Sequence, residues 1–363
     1  MKKMPKFLTA ILLILMVAVT GCSGQSGEPG GAGEAPADAG KVAVVLGVGG
    51  LGDQGYNDLV FAGVQRAKDE LGVAFDYAEP KQISEFELIL RDMASSGDYD
   101  VIISVGFDQV DPLNKVAPEF PEQNFAIIDG FVEAPNVAAY ASKEEEGSFL
   151  VGVLAGLMTK EAEAYGLTGK EQLGFIGAME IPLIVKFNAG FQAGARYVNP
   201  DAQVQVGYVA GSNPFSDTST AKEIALSQNN RGAGIVYHAA GGSGLGLFQA
   251  AAEGDFLAIG CNSNQNGIEP DHIVASMLKR VDTAAFEIVK AASIDGNLAV
   301  GTQVILGVED DGVGYTLELS NVEVDPAHVE IVEDVYRKIA AGELVIPETV
   351  EEVEGFLAEN SFE

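Results

Sequence analysis

The chain has 363 residues, 47% of them hydrophobic and 20% charged, and it carries 53 acidic against 21 basic side chains, a formal net charge of −32. That balance excludes nucleic acid as a partner, because neutralising phosphates takes clustered Lys and Arg. Two cysteines, Cys22 and Cys261, and three isolated histidines, His238, His272 and His328, supply neither a disulfide framework nor a metal site, and no cofactor is expected.

At the N-terminus Lys2, Lys3 and Lys6 precede an apolar run from Phe7 to Val19, followed by Val19-Thr20-Gly21-Cys22. The run is shorter than the roughly 18 to 20 residues that span a bilayer, so it reads as a secretory signal ending in a lipobox. Residues 1–21 are expected to be removed and Cys22 to take a lipid, which would hold the protein on the extracytoplasmic face of the cell membrane. Loss of the leader takes three lysines and no acid, leaving a charge of about −35. Residues 22–40 are Gly, Ala, Ser and Pro with scattered acids, a flexible tether reaching about 20 to 25 Å. The remaining residues, about 320 in number, exceed what one core usually covers, so two lobes are expected.

The body opens at Lys41–Leu46, a continuous apolar run of the kind covered on both faces in a parallel sheet. A helix follows from about Asn57 to Leu71. Further strands are expected at 73–77, 101–105, 125–128, 173–176, 204–208, 235–238 and 256–259, with helices between most of them. Ser84 and Glu87 have capping-box spacing ahead of Phe86, Ile89, Leu90 and Met93. An amphipathic helix is read from Gly147 to Thr159, a last strand at 301–306, and a helix at 326–341. This is an α/β chain of two doubly wound units with mostly parallel sheets flanked by helices. Ligands of such sheets bind beyond the carboxyl ends of the strands.

Gly47-Val48-Gly49-Gly50-Leu51-Gly52 after the first strand fits the dinucleotide fingerprint, and Asp76 lies where such a fold keeps its ribose acid. The inserted Asp53-Gln54-Gly55-Tyr56-Asn57 moves the helix start away from the glycines and argues against an extracellular nicotinamide-dependent enzyme. No nucleophile, base and orienter occur together in any motif, so catalysis is not expected. A second cluster, Gly241 to Gly246, follows the strand ending at His238; its glycines permit close approach of a ligand or of the next helix.

Seven segments together resemble the basic membrane protein family, lipoprotein receptors of ABC importers whose best-known ligands are purine nucleosides. They are GGLGDQGYND, SVGF at 104–107, FAIIDG at 125–130, EEEGSFLVGVLAG at 144–156, FNAGFQAGARYVNP at 187–200, AAGGSGLG at 239–246, and IGCNSNQ followed by SMLKRVD. The resemblance implies a type I periplasmic-binding-protein fold, monomeric, with an ABC permease as partner and a small-molecule ligand between the lobes. It places 41–140 plus about 262–301 in the N-terminal lobe and 141–261 plus about 302–363 in the C-terminal lobe, with crossings near Ala141, Cys261 and Thr302.

It also implies site residues. Tyr56 stands for the family's stacking aromatic, with Asp53 and Asn57 as polar contacts in the same loop. Asp129 matches an acid that accepts from ring and amino N–H groups of the base, and is otherwise a cap or turn acid. Phe187 or Phe215 would form the opposite wall, and either can equally be a core residue. Gly241 lies in the second glycine turn. At the sugar end Asn262 replaces the family's first Asp while Lys279 is retained, which leaves Lys279 without its nearest anionic neighbour. That departure opens the way to a free nucleobase, a riboflavin-like ring or another small solute.

Overall fold

The computed structural model describes residues 39–167 and 171–362. The leader, Cys22 and nearly all of the tether lie outside the described residues.

The first lobe begins with Lys41–Val45 (β1), Tyr56–Leu71 (α1), Ala74–Ala78 (β2) and Phe86–Ser96 (α2), and continues with Val101–Val105 (β3), Val110–Val116 (α3), Phe125–Ile128 (β4) and Val137–Ser142 (β5). β1 is apolar at consecutive positions because it is covered twice. Val42 and Val44 pack in a cluster with Val60, Val64 and Ala67 of α1. Ala43 and Val45 pack with Phe86 and Leu90 of α2 and with Leu113 and Val116 of α3. α1 stops at Gly72, whose positive φ of 77° lets its N–H donate to the Lys68 carbonyl. The Ser84–Glu87 capping box does not form. A short 3-10 turn at Ile83–Glu85 leads into α2, Glu85 accepts from the Lys81 N–H at 2.8 Å, and Glu87 pairs with Arg91 and Lys115.

The second lobe comprises Glu144–Lys160 (α4), Gln172–Gly177 (β6), Pro182–Val198 (α5), Gln203–Tyr208 (β7), Thr218–Asn230 (α6), Ile235–Ala239 (β8), Leu245–Gly254 (α7), Leu257–Asn262 (β9) and Ile273–Lys279 (β10). After it come Val281–Lys290 (α8), Gln303–Leu306 (β11), Val313–Thr316 (β12), Pro326–Ala340 (α9) and Val353–Glu359 (α10). α4 starts three residues before the apolar periodicity because its first turn is the run Glu144, Glu145, Glu146, acids that complement the helix N-terminus. α4 and α5 approach closely: a Cβ on Gly194 would lie 2.1 Å from the Phe149 carbonyl oxygen, and one on Gly152 2.4 Å from that of Phe191.

The two sheets run β11-β5-β4-β3-β1-β2 and β12-β10-β9-β8-β6-β7. Every pairing is parallel except β10 with β12. The lobes repeat one wiring, so β1 corresponds to β6, β3 to β8 and β4 to β9. The chain passes between sheets after Ser142, after Lys279 and after Leu306. β9 and β10 both belong to the second sheet, so the second passage lies beyond Cys261, and the third lies beyond Thr302 because β11 pairs with β5 in the first sheet. The segment from 263 onward is therefore not first-lobe until α8, which returns to pack on α1.

Candidate functional site

In each sheet the chain order reverses beside the first strand of the lobe, β1 between β2 and β3, and β6 between β7 and β8. The crevices at these switch points are where open α/β sheets take ligands. They face each other here across one cleft. All nine residues singled out by sequence line it: Asp53, Tyr56, Asn57, Asp129, Phe187, Phe215, Gly241, Asn262 and Lys279. It also takes in Phe107, Asp108 and Cys261, to which no role had been assigned.

The first loop is built by its own polar side chains. The Asp53 carboxylate accepts from the N–H groups of Gly55 and Asn57, each at 2.9 Å, from Asp58 N–H at 3.3 Å and from the Asn57 side-chain amide at 3.2 Å. Burial raises the Asp53 pKa against these donors. Asn57 Oδ1 in turn accepts from Gly47 N–H at 2.9 Å. Both residues thus shape the loop, and their hydrogen-bonding capacity is largely engaged there. Beneath it, the Gln109 amide donates to the Val45 and Val105 carbonyls, at 2.8 and 2.9 Å, and ties the ends of β1 and β3 together. The dinucleotide geometry is absent: α1 begins at Tyr56, and Asp76 is engaged outside the cleft with Lys41 and the Tyr99 hydroxyl, each at 2.7 Å.

The floor of the cleft is a buried charge cluster. Lys279 Nζ donates to Asp129 Oδ2 at 2.5 Å and to Glu144 Oε1 at 2.7 Å, and the three side chains are 2%, 5% and 2% exposed. The expectation that Lys279 lacks an anionic neighbour is therefore wrong: Asp129 from β4 and Glu144 from α4 supply two, from segments distant in sequence. Burial opposes the lysine charge, but the two carboxylates outweigh it and raise its pKa. Burial likewise raises Glu144. The rings of Tyr56 and Phe187 flank the ammonium, with centroids 5.6 and 5.7 Å from Nζ. Among the described residues Asp129 Oδ1 is buried without a hydrogen-bond partner: the nearby Tyr56 hydroxyl, which feels the Asp129 charge, donates to the Ile128 carbonyl at 3.2 Å.

Asp129 directly follows β4 and Asn262 ends the corresponding strand β9, and both adopt positive φ, 64° and 71°. Left-handed backbone at a residue other than glycine is uncommon, and Asp and Asn tolerate it best. It turns one polar side chain from each lobe into the same cleft.

At the mouth, Phe107 of the first lobe meets Phe215 of the second, centroids 6.1 Å apart at 52°. The Gln54 carbonyl accepts from Ser263 Oγ at 2.7 Å and Gln265 Nε2 at 3.1 Å, a second contact between lobes. Gln265 Oε1 accepts from Cys261 N–H at 2.8 Å and lies 3.1 Å from His238 Nε2. Burial pushes the Cys261 thiol up to about 12 and His238 down to about 4, so both are neutral at ordinary pH.

Two similar α/β lobes, each presenting its strand ends to a shared cleft, define a two-lobed solute-binding protein. The chain matches the pattern described as ABC transporter substrate-binding protein PnrA-like over residues 40–349, and it belongs to that family. It is similar to an uncharacterized lipoprotein of Pyrococcus horikoshii, 35% identical across 76% of this chain and 68% of that protein. It is also similar to the ABC transporter nucleoside-binding protein BmpA of Lactococcus lactis, 27% identical across 85% of this chain and 89% of that one. A crystal structure of an ABC transporter system solute-binding protein from Aeropyrum pernix superposes with a TM-score of 0.80 at 28% identity, covering 89% of this chain and all of that one. No helix among the described residues is long and apolar enough to cross a membrane.

Proposed function

We propose that the protein captures a purine nucleoside between its lobes and delivers it to an ABC permease, held at the membrane by lipid on Cys22. The observation that carries this reading is the pairing of aromatic faces with an acceptor-rich wall. Tyr56 and Phe187 stand at the charge cluster, Phe107 meets Phe215 across the lobes, and Asp129 Oδ1 is buried with no hydrogen-bond donor among the described residues. A flat ring with N–H donors on its edge satisfies both features, since aromatic faces stack and a buried carboxylate oxygen gains most from a donor. Phosphorylated ligands are disfavoured: Asp53, Asp108 and Asp129 line the cleft against one cation, Lys279, which is already paired with Asp129 and Glu144. The nucleoside-binding name of the Lactococcus relative agrees with the reading.

Asn262 supports a second reading, a free nucleobase, because a neutral amide holds sugar hydroxyls less strongly than a carboxylate does. One assay separates the two. Thermal unfolding of residues 39–363, stripped of co-purified ligand, is followed against purine nucleosides, their bases, riboflavin, pyrimidine nucleosides and simple sugars. A ligand at a hundred times its dissociation constant adds about 2.7 kcal/mol of stability. Shifts with purine nucleosides exceeding those with their bases are expected; shifts with bases alone would replace the ligand, and none with either would overturn the purine assignment.

A further inference from the structure

The resemblance assigns Asp129 to the N–H donors of the base, but part of its accepting capacity is already used: Oδ2 holds Lys279, and among the described residues Oδ1 is the oxygen with no hydrogen-bond partner. Glu144 is committed to the same ammonium, and Asp53 to its own loop. Asp108 is the cavity acid whose carboxylate is uncommitted. It lies in the turn Phe107–Gln109 after β3, half-buried, and among the described residues the only hydrogen bond to it comes from its own backbone N–H.

Its placement is built into the turn. β3 and β4 are neighbours in register, Val105 beside Ile128, and the Gly106 N–H donates to the Ile128 carbonyl at 2.9 Å. Asp108 and Asp129 therefore rise from adjacent strand ends. Gly106 has a φ of 109°, and a Cβ there would sit 2.9 Å from Asp108 Oδ1, so glycine leaves the room into which the carboxylate folds. The Tyr56 hydroxyl feels the charge of both acids. Both carboxylates line the same cleft, and their uncommitted oxygens are acceptors. An edge of adjacent donors complements them, as in a 6-oxopurine with a ring N–H and an amino group. Adenine instead offers an acceptor nitrogen beside its amino group, which would face a carboxylate.

Resting on the reading of the cleft as a purine site, we propose that Asp108 is a specificity-determining residue that accepts the ring N–H of a 6-oxopurine and makes the site prefer guanosine and inosine to adenosine. Titration calorimetry on the wild type, Asp108→Asn and Asp108→Ala with guanosine, inosine, adenosine and 1-methylguanosine tests it. Both substitutions should weaken guanosine and inosine about ten- to a hundredfold, the scale of charge-assisted hydrogen bonds, and leave adenosine within about threefold. The 1-methyl group should cost the wild type a similar factor and the variants little more, an arm that needs no variant to establish the donor. An unchanged guanosine-to-adenosine ratio in the variants, or full affinity of the wild type for 1-methylguanosine, would overturn the role of Asp108 while purine binding stands. Failure of the wild type to bind any purine removes the purine reading itself.

Discussion

Replacing Lys279 with methionine tests the charge cluster at the floor of the cleft. Methionine fills a similar volume, so the perturbation is mainly loss of the ammonium from between Asp129 and Glu144, at 2.5 and 2.7 Å. Breaking a buried pair by removing one partner costs about 3–5 kcal/mol, because a buried charge is left uncompensated. Proton uptake limits the loss: holding one carboxyl protonated at pH 7 when its unfolded pKa is near 4.3 costs about 3.7 kcal/mol. The variant should therefore fold with Glu144 or Asp129 neutral and be about 3–5 kcal/mol less stable than wild type at pH 7.5. The folded variant then binds more protons than its unfolded chain between the unfolded and the raised folded pKa. Its stability must fall as pH rises, by up to about 1.4 kcal/mol per pH unit for each proton retained. Wild-type Lys279, with its pKa raised, keeps its contribution throughout this window. Urea denaturation of both proteins at pH 5.5 and 7.5 should show a smaller deficit at the lower pH. Adding Asp129→Asn and Glu144→Gln should recover much of it. A deficit that is the same at both pH values, or below about 1 kcal/mol, would refute the reasoning, since a paired and buried cation cannot be lost so cheaply.

The close packing of α4 on α5 makes Gly194→Ala costly, because its Cβ would lie 2.1 Å from a backbone oxygen that can move only with its helix. A loss of about 1–3 kcal/mol is expected in the same denaturation experiment. Ser263→Ala removes one of two bonds to the Gln54 carbonyl across the mouth. It should weaken guanosine binding by about threefold to tenfold, mostly through faster dissociation, with little change in the ligand-free melting temperature; unchanged dissociation in a stopped-flow chase would dismiss this contact as a closure latch.

The sequence carried the strands that are buried on both faces, since β1, β3, β4, β8 and β9 are short apolar runs with β-branched bias. It concealed elements whose pattern is mixed. β10, with Lys279 at its end, adjoins the polar stretch 262–272, and β12 is a four-residue edge strand with a glycine inside. The second crossing, placed near Cys261 by the resemblance, falls instead after Lys279, because β10 stays in the second sheet. The first turn of α4 was missed because three consecutive glutamates look solvated. They are buried, and each has a basic partner: Glu144 has Lys279, Glu145 has Lys186 at 3.7 Å, and Glu146 has Lys143 at 3.1 Å. All nine candidate residues reached the cleft, yet local spacing could not distinguish those that build the loop from those with free atoms. Phe107 closes the quoted motif SVGF and Asp108 follows it; the signal available was a glycine just after a buried strand, followed by an aromatic and an acid.

The charge cluster joins binding to lobe geometry. Asp129 directly follows β4 in the first lobe, Lys279 is the last residue of β10 before the second passage, and Glu144 is the first residue of α4 after the first passage. Rotation of the lobes apart would draw Asp129 from Lys279 and leave the lysine with Glu144 alone. Hence the carboxylate proposed to meet the ligand through Oδ1 also tethers the first lobe to the second through Oδ2. A donor arriving at Oδ1 stabilises the ionised form of Asp129 on which the Lys279 bond depends, so ligand and closed arrangement support each other. Asp129→Asn tests that coupling: it keeps a hydrogen-bonding oxygen but removes the charge that both partners use. Its affinity loss for guanosine should exceed that of Asp108→Asn, and small-angle scattering of the ligand-saturated variant should show a larger radius of gyration than the saturated wild type. Equal radii would mean that the floor of the cleft binds without governing closure.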